Sequence, residues 1–344
     1  MGETVAGIVA NPASGRDIRR LVAQASVFPT AEKANMVQRL LAAFAVTGLD
    51  RALVSTDLGG ISAAVLKALG RGGTWPKVDF CADDPITGTA ADTSNAVRRM
   101  VEAGAGVIVV LGGDGTARVA AASCEDVPIL ALSTGTNNAF PQMREATVAG
   151  LAAGLIATGQ IDPDLVTHRV SVLEVVTKAR REIALVDVCV SLSRHIGARA
   201  LWDPSSLTEL YCTFAEPDGI GMSSVPGQLC PSPRSSPDGV ALQLGPAEET
   251  PYVVHAPIAP GLVRPVGVRG WGVFEPGMRV ELAASGGVIA LDGERELELK
   301  TGESAFVELK PDGPWVVDVR AVMAEAARKG LLRTETELGK ERRR

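Results

Sequence analysis

The stretch Leu111-Gly112-Gly113-Asp114-Gly115-Thr116 decides how this chain is read. It follows the β-branched run Val107-Ile108-Val109-Val110, a buried-strand pattern, and it precedes a helical stretch over 117–123. Glycines on both sides of one carboxylate let the backbone turn sharply and approach a phosphate closely. Amide groups at the start of the next helix supply positive ends for that anion. Asp114 then faces the site, where it can bind Mg²⁺ or take a proton from an attacking hydroxyl. The structural alternative is a tight turn closed by a capping Asp. The position of Gly112, Gly113 and Gly115 at a strand-to-helix junction favours the phosphate site.

Two neighbouring loops extend it. The next strand, over 129–132, runs into Ser133-Thr134-Gly135-Thr136-Asn137-Asn138. Successive strand ends of a parallel sheet lie on one edge, so this loop is expected beside the glycine loop. Its short donors and acceptors suit phosphate and ribose, with helix capping by Asn138 as the structural alternative. The first strand, Val5–Ala10, ends in Asn11-Pro12-Ala13-Ser14-Gly15. Pro and Gly fix a turn there, and Asn11 and Ser14 can contact a ligand.

The first half alternates strands with helices. Strands are predicted at 5–10, 51–55, 78–81, 107–111 and 129–132, and helices at 31–46, 61–69, 89–103, 117–123 and 148–157. Thr89-Ala90-Ala91-Asp92 has the capping-box pattern. Alternating βα units build a parallel sheet with helices on both faces. Beyond about residue 165 the pattern becomes short strands between Pro, Gly and Asp-Gly turns. They are predicted at 169–176, 182–191, 252–256, 279–283, 287–290, 296–300 and 304–309, with a loop over 216–237 and a final helix over 319–332.

Composition bounds the function. A length of 344 residues gives about two domains at roughly 150 residues each. The net charge is −6 and aromatic residues make up 4%, which excludes a nucleic-acid polymer held by counterion release or base stacking. No apolar run reaches the roughly 18 residues of a membrane span, and no secretory pattern opens the chain, so a cytoplasmic protein without a membrane partner is expected. Five cysteines, never spaced Cys-x-x-Cys, support neither a disulfide frame nor a zinc site. His168, His195 and His255 lack ligand spacing, and Arg194, His195 and Arg199 read as a solvated face sooner than an anion patch. The chain has no Gly-x-x-x-x-Gly-Lys-Ser/Thr loop and no Gly-x-Ser-x-Gly elbow, which excludes P-loop NTPases and argues against α/β-hydrolases.

Together the loops resemble the NAD kinase and diacylglycerol kinase superfamily, most closely its ATP-NAD kinase-like branch that includes the AcoX proteins. The carrying residues are 11–15, 85–93, Gly112–Thr116 and Gly135-Thr136-Asn137-Asn138, with 184–188 and Leu291-Asp292-Gly293-Glu294 in the second half. The resemblance implies a Rossmann-like α/β nucleotide-binding domain over 1–165 and a β-rich, β-sandwich-like substrate domain over 166–318. A C-terminal helix and charged tail over 319–344 follow, the helix returning to the first domain. It implies ATP and Mg²⁺ as cofactors, NAD as acceptor or ligand, and phosphoryl transfer to a hydroxyl, which in NAD kinases yields NADP. Asp114 is then the catalytic base or metal organiser, with no metal ligand set among the other residues. Asn11, Ser14, Gly112, Gly113, Gly115, Thr116, Thr134, Gly135, Thr136, Asn137, Asn138, Asp187 and Asp292 surround the nucleotides, Asp187 near the acceptor. Relatives assemble as dimers or larger, so a homo-oligomer is expected. Val186 replaces an Asn of NAD kinases, and 217–226 replaces a hydroxyl-rich loop. These departures keep open a nucleotide-binding regulator without turnover, and Gly135-Thr136-Asn137-Asn138 keeps open a lipid kinase of the diacylglycerol type. A hairpin turn is the structural alternative for Asp292.

Overall fold

The computed structural model describes residues 2–15, 23–25, 28–81, 85–135, 137–193, 200–283 and 286–334. Thr136, Arg194, His195, Arg199 and the tail 335–344 lie outside the described residues. The first half runs β1 (Val5–Ala10), α1 (Thr30–Val46), β2 (Arg51–Ser55), α2 (Ile61–Leu69), β3 (Lys77–Cys81), α3 (Ala90–Glu102), β4 (Ala105–Gly112), α4 (Asp114–Ala121), β5 (Ile129–Ser133) and α5 (Ala146–Ala157). Strands β3-β2-β1-β4-β5 pair in parallel in that order. Every residue of β1 is buried, as expected of a strand covered on both faces. Ala6, Ile8, Val107, Val109 and Leu111 pack towards α1, α2 and α5, while Val5, Val9, Ile108 and Val110 pack towards α3 and α4. On α1, Leu40, Leu41 and Phe44 are fully buried, each contributing roughly 1.5–3 kcal/mol relative to exposure.

The second half is antiparallel. It comprises β6 (Thr167–Arg169), β7 (Val172–Thr177), β8 (Arg181–Ala184), β9 (Asp187–Ser191), β10 (Leu207–Cys212), a short helix α6 (Ser224–Gly227), β11 (Gly239–Gly245), β12 (Tyr252–Ala259), β13 (Leu262–Phe274), β14 (Arg279–Glu281), β15 (Val288–Leu291), β16 (Glu294–Glu298) and β17 (Ala305–Lys310). Sheet β12-β13-β11-β10-β9-β15-β16 faces sheet β14-β17-β7-β8. Leu173, Val175, Val188, Val190, Ile289, Leu291, Val307 and Leu309 fill the space between them, so the β-rich half is a sandwich. The fold is therefore α/β followed by a β-sandwich-like unit.

The chain then returns to the parallel sheet through a strand as well as a helix. β18 (Trp315–Val317) pairs in parallel with β5 and antiparallel with β6. After it, α7 (Val319–Lys329) places Val319, Val322 and Ala326 in the same core as α5.

Three differences from the sequence expectations have physical causes. The predicted strand 182–191 is two strands, β8 and β9, in different sheets. The backbone N–H groups of Leu185, Val186 and Asp187 donate to the Asp292 carboxylate, so a side chain replaces the ladder partner there. Helix α4 begins at Asp114, three residues before the predicted start, because Ala117 N–H already bonds the Gly113 carbonyl. Strands β10, β11, β13 and β18 carry weak patterns. In β13, Pro265, Gly267, Gly270 and Gly272 interrupt the β-branched run that would mark a strand.

Candidate functional site

The carboxyl ends of β1, β4 and β5 place their loops on one sheet edge. The Asn11 amide N–H donates to the Leu111 carbonyl at 2.9 Å, stitching the first loop to the second. Asn11 Oδ1 accepts from Ala13 N–H at 2.8 Å, and Nδ2 donates to Thr116 Oγ1 at 2.8 Å. The Ser14 and Thr134 hydroxyls lie 2.8 Å apart and join the first loop to the third. Lys33 of α1 is fully buried, and its ammonium donates to the carbonyls of Asn11, Pro12 and Ser14 at 3.0, 3.1 and 2.8 Å. Sequence reasoning missed Lys33. Its signal was position: residues 33, 37, 40 and 44 form one buried helical stripe, so a lysine there must bring its own polar partners.

The glycines serve close packing sooner than turning. Gly112, Gly113, Gly115 and Gly135 are absent from the positive-φ residues. A Cβ on Gly112 would collide with the Thr116 side chain, and one on Gly135 with the Asn138 carboxamide. Gly113 is the N-cap of α4, which puts Asp114 in the first helical turn.

Asp114 is buried and its carboxylate accepts from Ala139 N–H at 3.0 Å and Phe140 N–H at 2.8 Å. From the opposite side, the Arg234 guanidinium donates to the carbonyls of Ala139 and Phe140. Glu216 pairs with Arg234 through Nε at 3.0 Å and Nη2 at 2.9 Å, and the guanidinium stacks over Phe214 at 4.3 Å. The segment after Asn138 is thus held by its amides from the first half and by its carbonyls from the second. Asn138 Nδ2 donates to Ser133 Oγ at 2.7 Å, and Asn137 Nδ2 to the Ile258 carbonyl at 3.0 Å.

Asp292 is both a hairpin turn and part of the site. It and Gly293 have φ of 51° and 71°, the left-handed pair of a type I′ turn between β15 and β16. Its buried carboxyl accepts from three backbone N–H groups and lies 3.5 Å from Arg118 Nε. Burial pushes the Asp292 pKa up to about 8; Arg118 pulls it down, while Asp187 and Asp114 add to the rise. Arg118 itself, buried on α4, donates to Glu296 at 3.0 Å and so ties the two halves together.

These loops enclose a cleft of about 510 Å³. Asn11, Ser14, Gly113, Asp114, Gly115, Thr116, Gly135, Asn137, Asn138 and Asp292 line it, together with Gly88, Thr89 and Thr93 of the 85–93 run. Gly112 and Thr134 sit behind this wall. Beside the cleft, and sharing Asp114, Asn137 and Asp292 with it, lies a smaller, partly open inner pocket of about 20 Å³ whose lining also includes Asp187, Ile220, Gly221 and Met222. Asp187 touches only this inner pocket, where Cys189 Sγ donates to its Oδ1 at 3.6 Å. Burial, reinforced by Asp187, pushes the Cys189 and Cys212 thiols well above the ordinary range. Val186 packs in the core with Leu185 and Phe214, away from the cleft. Sequence reasoning also missed Arg118, Arg234, Glu182 and Glu296, and it noted Glu294 only as part of the Asp-Gly motif. None of these charged residues has a local pattern that points to a partner; the docking of the two halves gives them one.

The cleft wall is acidic: Asp114, Glu182, Asp292, Glu294 and Glu296 stand against Arg118. Among the described residues no group of three or more His, Cys, Asp or Glu is placed to hold a metal ion. No helix among them is long and apolar enough to cross a membrane.

Residues 7–161 match the ATP-NAD kinase N-terminal domain, and residues 171–312 match the acetoin catabolism protein X C-terminal domain. Acetoin catabolism protein X of Cupriavidus necator is 43% identical over 339 residues, covering 96% of this chain and 94% of that protein. A crystal structure of an NAD kinase from Archaeoglobus fulgidus in complex with ATP is similar over 83% of this chain and 99% of that one, at 14% identity and a TM-score of 0.38, too distant to carry a site comparison. With an NAD kinase-type N-terminal half, a matching C-terminal domain and 43% identity to that relative over 96% of its own length, the chain belongs to the acetoin catabolism protein X family.

Proposed function

We propose that this protein is an ATP-dependent phosphotransferase that acts on a hydroxyl of a small metabolite. One observation carries the reading. Asp114, Asn137 and Asp292 line both the outer cleft and the inner pocket, so a donor phosphate in one and a hydroxyl in the other would meet at these side chains. Asp292, with its pKa near 8, keeps its proton at neutral pH and does not accept another. Asp114 is then the junction carboxylate that takes the hydroxyl proton. The hydroxyl oxygen bonds to the γ-phosphorus, the bond from that phosphorus to the ADP oxygen breaks, and its electron pair leaves with ADP.

The N-terminal turn of α4 and the Asn11–Gly15 loop orient the phosphates through backbone groups. Mg²⁺ suits oxygen ligands and would supply charge neutralisation beside the acidic wall, arriving with the nucleotide. The buried Lys33 contacts and the half-buried Arg234 contacts keep the three loops in register.

A second reading, a nucleotide-binding regulator without turnover, draws on Asp114 being engaged by two backbone amides, a role that needs no chemistry. One experiment tests both. Purified protein is given ATP and Mg²⁺ with NAD, NADH, polyols, acetoin (included because of the relative's name) and diacylglycerol vesicles. ADP release is expected at least a hundred-fold above Asp114→Asn for one acceptor. Equal release by wild type and variant on every acceptor refutes turnover, and retained ATP binding then favours the regulator.

A further inference from the structure

We infer that Arg118 binds the phosphoryl group in transfer and stabilises the charge that develops on its oxygens. The inference rests on the phosphotransferase reading and adds to it a catalytic residue from outside the three loops. Position is the first observation. Arg118 stands four residues after Asp114 on α4, about one helical turn further on, so both side chains leave the same face of the helix. Both line the outer cleft. Arg118 Nε lies 3.5 Å from Oδ2 of Asp292, a residue that also borders the inner pocket. The guanidinium therefore stands on the outer-cleft side of the junction where donor and acceptor would meet.

Unspent hydrogen-bonding capacity is the second. The Arg118 side chain is 8% exposed, and burying a guanidinium costs stability unless its donors find acceptors. Among the described residues it makes one hydrogen bond, from Nη2 to Glu296 Oε1 at 3.0 Å. Nε is buried without a hydrogen-bond partner, the nearby Asp292 oxygen included. Asp292 keeps its proton at neutral pH, so it does not neutralise the guanidinium. A clamp between the two halves would spend the planar fork on a carboxylate, yet here most of the fork is unused. A phosphoryl group presents the oxygens that this fork matches in geometry and charge. An arginine so placed contributes roughly 10³–10⁵ in rate where phosphate passes to an oxygen. It forms no covalent bond and keeps its protons. The guanidinium turns from Glu296 towards the phosphoryl oxygens while the hydroxyl–phosphorus bond forms and the bond to ADP breaks.

The test uses the full chain and two readouts. Calorimetry measures ADP binding with Mg²⁺, with and without aluminium fluoride, which beside ADP mimics a phosphoryl group in flight. The wild type is expected to bind ADP at least ten-fold tighter with aluminium fluoride. Arg118→Gln is expected to lose that gain while binding ADP alone within about three-fold of wild type. Arg118→Lys, which keeps the charge without the fork, replaces it if the glutamine variant fails to fold. Glu296→Gln cuts the same tie between the halves but frees the fork, so the gain is expected to rise at least three-fold. A clamp would lose the gain in both variants, and that result overturns the inference. In the second readout, ADP release from ATP with NAD, NADH, polyols, acetoin or diacylglycerol vesicles is expected to fall at least a hundred-fold in Arg118→Gln, with KM for ATP within about three-fold. Unchanged release in the variant overturns the inference and leaves the phosphotransferase reading standing. With no release by the wild type on any acceptor that reading falls, and calorimetry decides the inference: a gain lost in Arg118→Gln and kept in Glu296→Gln upholds it. Absence of any gain in the wild type then overturns it as well.

Discussion

Asp292 makes a prediction about stability whose sign differs from that of most carboxyls. Its ordinary pKa is 3.8, and burial raises it to about 8 in the folded chain. Between those values the folded protein holds a proton that the unfolded chain has lost. Stability from this group is therefore complete below about pH 4 and is lost as pH rises towards 8. Each pH unit in that window changes stability by about 1.4 kcal/mol, so the loss from pH 5 to pH 8 is about 4 kcal/mol. Glu32 has the opposite sense: the hydrogen bond from Arg39 holds it below the ordinary range, so its contribution is already complete above about pH 4.5. The decline is consequently exposed between pH 5 and 8. Asp292→Asn removes the titration while keeping an acceptor for Val186 N–H, at a constant cost of about 1 kcal/mol. Urea unfolding of both proteins at pH 5, 6, 7, 8 and 9 gives the comparison. The wild type is expected to lose stability over this range and the variant to stay level to within about 1 kcal/mol. Parallel curves between pH 5 and 8 would refute a protonated Asp292, and with it the assignment of proton acceptance to Asp114 alone.

Other perturbations probe the loop framework. Arg234→Ala frees the carbonyls of Ala139 and Phe140 and leaves Glu216 without this partner, which is expected to cost about 2 kcal/mol in urea and to speed hydrogen exchange at those two residues' amides. Unchanged exchange would show that Asp114 alone fixes the segment. Lys33→Met keeps the apolar stem and strips the donor from three carbonyls, that of Ser14 buried, with an expected loss of about 3 kcal/mol by urea unfolding. Gly112→Ala places a methyl against Thr116 and is expected to cost about 1–3 kcal/mol, whereas Gly270→Ala, facing open space, is expected to change stability by under about 0.5 kcal/mol. Equal melting shifts for the two would contradict the packing account of the glycine loop.

The parts legible in the sequence were those written locally. The runs at 5–10, 51–55 and 61–69 coincide with β1, β2 and α2 because an apolar run between turn residues is a property of neighbours along the chain. The three loops were found for the same reason: each follows its strand directly, and parallel topology alone brings Asn11, Asp114 and Asn137 to one edge. What the sequence hides is set by residues far apart in it. Asp292 lies 178 positions beyond Asp114, so Asp-Gly on its own reads only as a turn, and the turn is real. Its second role comes from three amides of the β8–β9 crossover and from Arg118, none of which signals a partner. The same holds for Arg234 and Glu216, a half-buried pair whose guanidinium reaches the Phe140 carbonyl only once the sandwich has docked on the parallel sheet. Val186 shows the reverse case. Aligned with a family Asn, it reads as a lost ligand contact, yet it packs with Leu185 and Phe214 beneath the crossover, and only its backbone serves the site. Since that backbone N–H is one of those Asp292 holds, the position bears on the inner pocket through the carboxyl it anchors, whichever side chain stands there.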